Sequence, residues 1–520
     1  MCHERSGAAQ YHAAFRHLSF RTMQNGTRLA AVDLGSNSFR LEIGRLDQGQ
    51  INRTEYLKET VRLGGGLDEQ RNLKADAMTR GWDCLARFGE RLSGFSPSHV
   101  RAVATQTLRE ARNRDDFLGR AREILGFPID VIAGREEARL IYQGVAHMLP
   151  QSDERRLVVD IGGRSTELIL GQALEAQVME SYRIGSVAWS MRYFADGQFT
   201  SHAFQMAEIA AKAVLDEALN TYRRGAWDVA YGSSGTIGAV GDVLQAAGWP
   251  AARVSREGLK WLRERLMRAQ SAERVRLEGM KEDRRAVIGG GLSVLRAVFD
   301  LLEIDEMHAA QGALRHGVLY DLLQRDLPNT DLRANSVQRL ATKFQVDAAQ
   351  AQRVGQVACH LLRQMRATDP PAQLDRSLRK LLWAAHLHEI GSLISHSDYH
   401  KHGAYVLDQS DAPGFAQHEL HRLSLLVLGH RGKLRKLDAD FEDEVFVHQL
   451  LCLRVAVILC HARREPDLNG LQLQRGMGSH HITMECRADW ALAFPQSAHL
   501  LVEEVLAWQK TSWALELNQH

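Results

Sequence analysis

The chain has 520 residues, of which 45% are hydrophobic and 25% are charged, and its formal net charge is +2. This length predicts more than one domain, and the near-neutral charge excludes capture of a polyanion by the molecule as a whole. Six cysteines without a CxxC pair argue against a disulfide framework and a cysteine zinc site. No apolar run approaches the ~18 residues that cross a bilayer. We therefore expect a cytoplasmic protein without stable membrane insertion or DNA binding.

The first 26 residues are polar and rich in His and Arg, and they lack the apolar core of a signal peptide. Met23 lies just before a strand-like run that begins at Arg28. We interpret residues 1–26 as an N-terminal extension that is either disordered or a translation-start artefact.

Strands and helices alternate from residue 28 to about residue 325, which predicts α/β layers. The predicted strands are Leu29–Asp33, Phe39–Arg45, Val100–Thr105, Ile129–Ala133, Leu157–Asp160 and Glu167–Leu170. The predicted helices between them are Ala75–Leu92, Asp115–Leu125 and Glu136–His147. Two further blocks are punctuated by glycine, at Val229–Val240 and Val287–Gly291.

Apolar residues recur at helical spacing from Ser336 to about Arg464, which predicts a helical domain. The last fifty residues are mixed in character. We predict strands at Ile482–Cys486 (ITMEC) and Trp490–Phe494 (WALAF), and a helix at His499–Gln509.

Two glycine-rich turns follow strands that end in aspartate, at Asp33 and at Asp160. Glycine lets the backbone approach a ligand closely, and successive N–H groups with Ser and Thr hydroxyls can cradle phosphate oxygens. The carboxylates would repel phosphate, so we expect them to hold a hydrated Mg²⁺ beside it. A single turn of this kind is usually an ordinary Asx turn, but two in one chain predict a two-sided phosphate clamp. The clamp residues are Asp33, Gly35, Ser36, Asn37 and Ser38 in the first turn, and Gly163, Arg164, Ser165 and Thr166 in the second.

Between the two turns, Gly134 ends a strand and the pair Glu136-Glu137 opens a helix. Acidic residues favour the positive N-terminus of a helix, and spacing alone prefers this structural explanation. The alternative is that one of the two is a general base that faces the cleft and activates water. Arg109 follows another strand and could bind phosphate oxygens as a fork, but its spacing fits a solvated helix arginine equally well.

These motifs, in order, resemble those of the exopolyphosphatase/guanosine pentaphosphate phosphatase family, within the superfamily of actin, sugar kinases and heat-shock chaperone ATPases. The matching stretches are Leu29–Arg40, Val61–Leu67, Ala102–Asn113, Val131–Gly144, Leu157–Leu170, Gly232–Val240, Ile288–Leu295 and Gly312–Leu323. The resemblance implies an α/β protein with two actin-like ATPase (ribonuclease H-like) domains, at residues 27–140 and 141–327. An all-α HD-like domain at 328–468 and a small α+β segment at 469–520 would follow.

The resemblance also implies roles for individual residues and a partner. Glu137 is the expected base that activates water, and Arg109 looks like a phosphate-binding arginine. Asp160, Glu167 and Gly162, the last through its backbone, resemble a site for Mg²⁺. A homodimer is expected.

The chain departs from the family pattern at two positions. Arg164 replaces the usual third glycine of the second turn, where it would either meet phosphate in the cleft or crowd the clamp. His316 stands where the family commonly has an acidic residue, and we expect it at the surface or the rim of the cleft.

The helical region around His388-Glu389 resembles an HD domain but lacks an earlier His and a later Asp, so we do not expect metal hydrolysis there. Its basic residues could instead form a track for a long polyanion, although a solvated charged face is as good an interpretation. The track residues are His400, Lys401, His402, Arg431 and Lys433.

The function predicted from these residues and the resemblance is an exopolyphosphatase, which releases terminal orthophosphate from inorganic polyphosphate with Mg²⁺. Cleavage is processive if the helical domain keeps hold of the polymer. The alternative within the family is hydrolysis of guanosine pentaphosphate (guanosine-5'-triphosphate,3'-diphosphate) to the tetraphosphate, since the chemistry is the same. An actin-like ATPase and a non-catalytic polyphosphate-binding protein rank below both.

Overall fold

A computed structural model describes residues 23–519 apart from residues 151, 325–331, 411 and 477–479. The described residues form two compact units, 23–324 and 332–519. Residues 1–22, most of the predicted N-terminal extension, lie outside the described residues. Among the described helices, none is both long and apolar enough to cross a membrane.

The first α/β domain is built on a five-stranded mixed sheet with strand order β3-β2-β1-β4-β5. Strand β1 pairs antiparallel with β2 and parallel with β4, and all its residues but the first are buried. The strands are β1 (Arg28–Leu34), β2 (Phe39–Asp47), β3 (Gln50–Glu59), β4 (Val100–Ala104) and β5 (Ile129–Val131). The helices are α1 (Ala75–Leu92), α2 (Gln106–Glu110) and α3 (Arg114–Leu125).

The second α/β domain is built in the same way around a six-stranded mixed sheet with strand order β10-β11-β9-β6-β7-β8. Its central strand β6 pairs antiparallel with β7 and parallel with β9, as β1 does with β2 and β4. The strands are β6 (Arg155–Ile161), β7 (Thr166–Gln172), β8 (Glu175–Tyr182), β9 (Val229–Ser233), β10 (Arg253–Ser255) and β11 (Glu306–Ala309). The helices are α5 (Ser186–Tyr193), α6 (Ser201–Leu215), α7 (Ser234–Ala246), α8 (Arg256–Ala269), α9 (Glu282–Arg285) and α10 (Ile288–Leu301).

Two helices that pack against each other connect the two sheets: α4 (Gly134–His147) and α11 (Leu314–Gln324). Glycines permit their close approach, because a Cβ on Gly317 would overlap the Leu140 carbonyl and a Cβ on Gly144 would overlap the Ala313 carbonyl. The domain boundary predicted after residue 140 falls inside α4. This helix, which carries Glu137, is therefore held from both sides.

The second unit contains helices and a small sheet that share one continuous hydrophobic core. The helices are α12 (Leu332–Lys343), α13 (Ala348–Met365), α14 (Pro371–Leu387), α15 (Tyr399–Asp408), α16 (Gln417–Gly429), α17 (Glu444–Leu459), α18 (Ala488–Ala493) and α19 (Pro495–Trp508). The sheet has the order β12-β13-β14, with β12 (Leu471–Arg475), β13 (His481–Cys486) and β14 (Ala514–Gln519). The α/β class of the first 300 residues and the helical character of this unit are confirmed.

One predicted strand is wrong: the WALAF segment forms α18 and its C-terminal cap. The period-two alternation of this short segment also satisfies the helical spacing of i and i+4. Trp490 and Phe494 use that spacing, and their ring centroids lie 5.3 Å apart. The predicted strand at Ile482–Cys486 and the predicted final helix are confirmed as β13 and α19.

Several strands were not predicted, among them β3 and β8. Strand β3 pairs with β2 and strand β8 pairs with β7. Most residues of β3 and β8 are exposed or half-buried. Because neither strand buries a continuous face, their sequences lack the apolar alternation that marks a strand.

Candidate active site

Both aspartate-containing turns lie at one cleft between the two α/β domains. Asp33 is the penultimate residue of β1 and Asp160 is the penultimate residue of β6, so equivalent central strands place the two carboxylates. A cavity of about 390 Å³ is lined by residues of both turns. The structure thus brings the two predicted phosphate loops to the same cavity.

Most of the predicted site residues line this cavity. They are Asp33, Gly35, Ser36, Asn37, Ser38, Glu137, Asp160, Gly162, Gly163 and Ser165. Thr166 does not: it is fully buried and donates its hydroxyl to the Ile184 carbonyl at 2.8 Å. Glu167, Arg109 and Arg164 are not among the lining residues, and each contacts another protein group.

The two glutamates that open α4 point to different environments. Glu137 lines the cavity, and its Oε2 accepts a hydrogen bond from Arg109 Nη1 at 2.7 Å. Glu136 is 1% exposed and forms a bidentate pair with Arg139, at 2.8 Å for each bond. Burial raises the pKa of Glu137, and the Arg109 charge opposes this rise. Of the two, Glu137 alone has access to a substrate.

Three buried carboxylates, those of Glu137, Asp160 and Glu167, lie close together at the cleft. Burial raises the pKa of Asp160 to about 7, against a hydrogen bond from Ser233, and the Glu137 charge adds to the rise. Burial raises the pKa of Glu167 well above its usual value, and the Glu137 and Asp160 charges raise it further. Such mutual repulsion is relieved when a cation binds among the carboxylates.

The residues fit a hydrated Mg²⁺ ion. Glu167 accepts a hydrogen bond from the Ser181 hydroxyl at 2.8 Å through Oε1, while its buried Oε2 has no partner among the described residues. Within the same residues, no three His, Cys, Asp or Glu side chains form a ready metal cage. Mg²⁺ commonly uses one or two carboxylates and completes its shell with water and substrate phosphate. Asp160 and Glu167 provide that pair.

The sequence interpretation missed the cations of the cleft, among them Arg40, Lys58 and Arg284. Arg40 Nη1 donates to Asp33 Oδ2 at 3.0 Å, and Lys58 Nζ lies 3.0 Å from Asp283 Oδ2 across the two domains. Arg284 is 7% exposed, and its guanidinium Nε lies 3.9 Å from Asp283 Oδ2. Burial lowers the pKa of Arg284, and the Arg40 charge lowers it further. Like charges that converge in a cleft are stabilised by a bound anion.

Comparison with known proteins agrees with this geometry. The sequence profile of the Ppx/GppA phosphatase family matches residues 43–326, and that of domain III of the Ppx/GppA phosphatases matches residues 332–508. The chain belongs to the Ppx/GppA phosphatase family. The predicted resemblance is therefore confirmed, together with the actin-like α/β domains and the phosphatase class of the enzyme.

Relatives of this phosphatase match it over almost its full length. A guanosine-5'-triphosphate,3'-diphosphate pyrophosphatase of Vibrio cholerae is 38% identical over 497 residues, which cover 94% of this chain and 98% of that protein. A protein of the same name from Pseudoalteromonas translucida is 37% identical over 492 residues, with the same coverage. Among solved structures, an exopolyphosphatase from Cytophaga hutchinsonii is 26% identical with a TM-score of 0.52, and covers 58% of this chain and 99% of its own.

In this phosphatase the second domain also presents the N-terminus of α7 to the cavity, through Ser234, Gly235 and Thr236. The Ser234 and Thr236 hydroxyls donate to the Ile161 carbonyl at 2.8 and 2.9 Å, which fixes this helix end to the end of β6. A Cβ on Gly235 would overlap the Arg284 guanidinium. The missing side chain thus makes room for the buried cation beside the helix N-terminus, where anions are favoured.

The two departures from the family pattern have partners in the first domain. Arg164 Nε and Nη2 donate to Glu110 Oε2 at 3.0 and 2.8 Å. His316 is buried, 8% exposed, and its Nε2 lies 3.2 Å from Glu42 Oε1. The expectation of a surface or rim position for His316 is wrong, because a buried carboxylate on β2 requires a polar partner there.

The predicted polyphosphate track lies in the second unit, and its members differ in exposure. Arg431 and Lys433 are exposed, and the Arg431 guanidinium lies 4.7 Å from the Tyr399 ring centroid. Lys401 is exposed and pairs with Asp398 at 2.7 Å. His402 is half-buried, whereas His400 is 5% exposed. The track stays a prediction that rests on its exposed members.

Proposed function

We propose that this phosphatase removes the terminal 5'-phosphate of guanosine pentaphosphate with Mg²⁺. The placement of Glu137 in a cleft between two phosphate loops supports the reaction class. The name shared by relatives that match the chain end to end supports the substrate. Together these observations favour the alternative of the sequence interpretation over inorganic polyphosphate.

Glu137 acts as the general base in this proposal. Its carboxylate lines the cavity, and its raised pKa increases its affinity for the proton of an attacking water. Arg109 holds one carboxylate oxygen, which leaves the other free to contact water. The proton passes to Glu137 as the water oxygen attacks the terminal phosphorus and the shortened nucleotide leaves in line.

Phosphate charge is neutralised by groups from both domains. The two loops offer backbone N–H groups and the hydroxyls of Ser36, Ser38 and Ser165, while Arg40, Lys58 and Arg284 supply positive charge. These groups are already in place before the charge develops, so little reorganisation is needed during the reaction.

Asp160 and Glu167 would hold Mg²⁺ in this proposal. Bound there, Mg²⁺ would neutralise charge on the phosphoryl oxygens. Removal of divalent cations with a chelator is expected to abolish phosphate release, and added Mg²⁺ is expected to restore it.

Mg²⁺ affinity is expected to rise with pH through neutrality. The ion binds the ionised carboxylate, and a pKa of about 7 leaves Asp160 mostly protonated at pH 6. From Asp160 alone we expect binding at pH 6 to be roughly tenfold weaker than at pH 8, with release of close to one proton, and ionisation of Glu167 adds to both effects. Titration calorimetry in buffers of different ionisation enthalpy measures both quantities.

The Asp160→Asn variant is the control for this pH dependence. It should bind Mg²⁺ more weakly and release about one proton fewer at pH 6 than the unaltered protein, because residue 160 no longer titrates. Equal affinity of the unaltered protein at pH 6 and pH 8 would contradict the assignment of Asp160 as a ligand.

Inorganic polyphosphate is the second candidate substrate. The structural likeness to an exopolyphosphatase and the cations along the cleft support it. The homodimer and the HD-like fold of the helical unit are also proposals, since both follow from the family resemblance.

Phosphate release from guanosine pentaphosphate, long-chain polyphosphate and GTP at matched terminal-phosphate concentrations tests the substrate. We expect the highest kcat/KM for guanosine pentaphosphate. A preference for polyphosphate would replace the substrate and keep the roles of Glu137 and the loops. No release from any of the three, with Mg²⁺ present, would overturn the phosphohydrolase proposal.

A further inference from the structure

Arg164 lies in the second phosphate loop, but its side chain reaches the first domain. Its guanidinium forms the fork to Glu110 described above, and Nη1 donates to the Gly64 carbonyl at 3.1 Å. The Gly64 N–H in turn donates to the Ser36 carbonyl of the first loop at 2.8 Å. The side chains of Arg164 and Glu110 are 20% and 12% exposed. Arg164 therefore connects the two loops from behind the cavity.

The contacts of Glu110 continue to the candidate base. Gln106 Nε2 donates to Glu110 Oε1 at 2.6 Å, and Gln106 Oε1 accepts from Arg109 Nε and Nη2 at 3.0 and 2.6 Å. Arg109 Nη1 then donates to Glu137 Oε2. An unbroken line of hydrogen bonds thus runs from Arg164 to Glu137.

Each member of this line has one orientation that satisfies its neighbours. The Gln106 amide is 5% exposed, and its oxygen faces a donor while its nitrogen faces a carboxylate, so rotating the amide would break every contact it makes. Arg109 uses all three guanidinium nitrogens in this line. Its Nη1 also donates to the Ile132 carbonyl at 2.7 Å, which fixes the guanidinium further. Most of these bonds involve a charged partner, which makes them stronger than neutral ones.

We propose that Arg164, Glu110 and Gln106 are positioning residues that set the orientation of Glu137 through Arg109. The inference rests on the proposed function of Glu137 as the base. The relay, Arg164–Glu110–Gln106–Arg109, makes the geometry of the base depend on the second phosphate loop. The catalytic arrangement is complete only when that loop lies against the first domain.

Steady-state kinetics of Arg164→Met and Glu110→Gln test the relay, with whichever substrate the unaltered enzyme hydrolyses. We expect kcat to fall about ten- to hundredfold with KM changed by less than about twofold, since base geometry and not binding is disturbed. The double variant should lose no more than the worse single variant, because either change breaks the same line. Arg164→Lys should recover only part of kcat, since an ammonium cannot form the fork.

Arg253→Met is the matched control. It removes an arginine–glutamate pair of the second domain, to Glu306 at 3.0 Å, in which the side chains are 50% and 40% exposed. We expect its kcat and KM to stay at the values of the unaltered enzyme.

Three results would overturn the relay: unchanged kcat in Arg164→Met, a rise in KM alone, or losses that multiply in the double variant. A rise in KM alone would mean that Arg164 binds phosphate. A crystal structure of Arg164→Met provides a readout that needs no turnover: the relay predicts that Arg109 leaves its position against Glu137, and an unmoved Arg109 would refute it. Failure of the proposed function can be told apart from failure of the relay, because in that case the unaltered enzyme would release no phosphate.

Discussion

The Glu137→Gln variant is expected to lose about 10²–10⁴-fold in kcat while its affinity for guanosine pentaphosphate stays close to that of the unaltered enzyme. Glutamine keeps the size of the side chain and can still accept the hydrogen bond from Arg109, but it cannot take a proton from water. Phosphate release and calorimetric binding of the substrate to the variant are the two measurements.

An exposed glutamate provides the control for this substitution. Glu123 lies on α3 at the surface, and Glu123→Gln should keep full activity. Turnover of Glu137→Gln above about a tenth of the unaltered rate would contradict the role of Glu137, since a lost general base costs at least about 10²-fold.

The Arg139→Met variant is expected to show the largest loss of stability, about 3–5 kcal/mol in the free energy of unfolding. Arg139 pairs with Glu136 and, at 2.6 Å, with Asp321 of α11, and it donates to Gln143 at 3.0 Å. All four residues are at least nine-tenths buried. Methionine fills much of the same volume but takes the Arg139 charge away from two buried carboxylates, Glu136 and Asp321, that also pair with Arg101.

Scanning calorimetry measures this effect as a lower midpoint temperature for unfolding of the α/β unit. A loss of this size corresponds to about 5–8 °C for a unit of some 300 residues. Arg155→Met, which breaks an exposed pair with Asp228, should leave the midpoint temperature close to that of the unaltered protein, because exposed ion pairs contribute little to stability. Equal shifts for the two variants would show that the buried network contributes no more than a surface ion pair.

The same network explains why the neighbouring glutamates cannot be separated by sequence alone. Both occupy the first turn of a helix, where either one suits the helix dipole. The partners of Glu136 are arginines of β4 and of α4 itself, and both arginines also pair with Asp321 of α11, almost two hundred residues away in the chain. Only their convergence shows that Glu136 is a structural residue and that Glu137 is left for the cleft.

The sequence by itself determined the features that depend on neighbours in the chain. The strand–aspartate–glycine turns, the α/β alternation and the helical spacing after residue 336 are local patterns, and the family resemblance could be read from them in order. Where two local patterns fitted the same residues, as in the WALAF segment, the prediction was wrong, because packing of Trp490 in the core selected the helix.

The tertiary structure alone decided which distant residues meet. Arg40, Lys58 and Arg284 come from β2, β3 and α9, and nothing in their local sequence distinguishes them from solvated cations. Arg164 and Glu110 are 54 positions apart, and the sequence left open whether Arg164 meets phosphate or crowds the clamp. Electrostatic and hydrogen-bonding partners are set by distance in space, whereas a sequence motif records only distance along the chain.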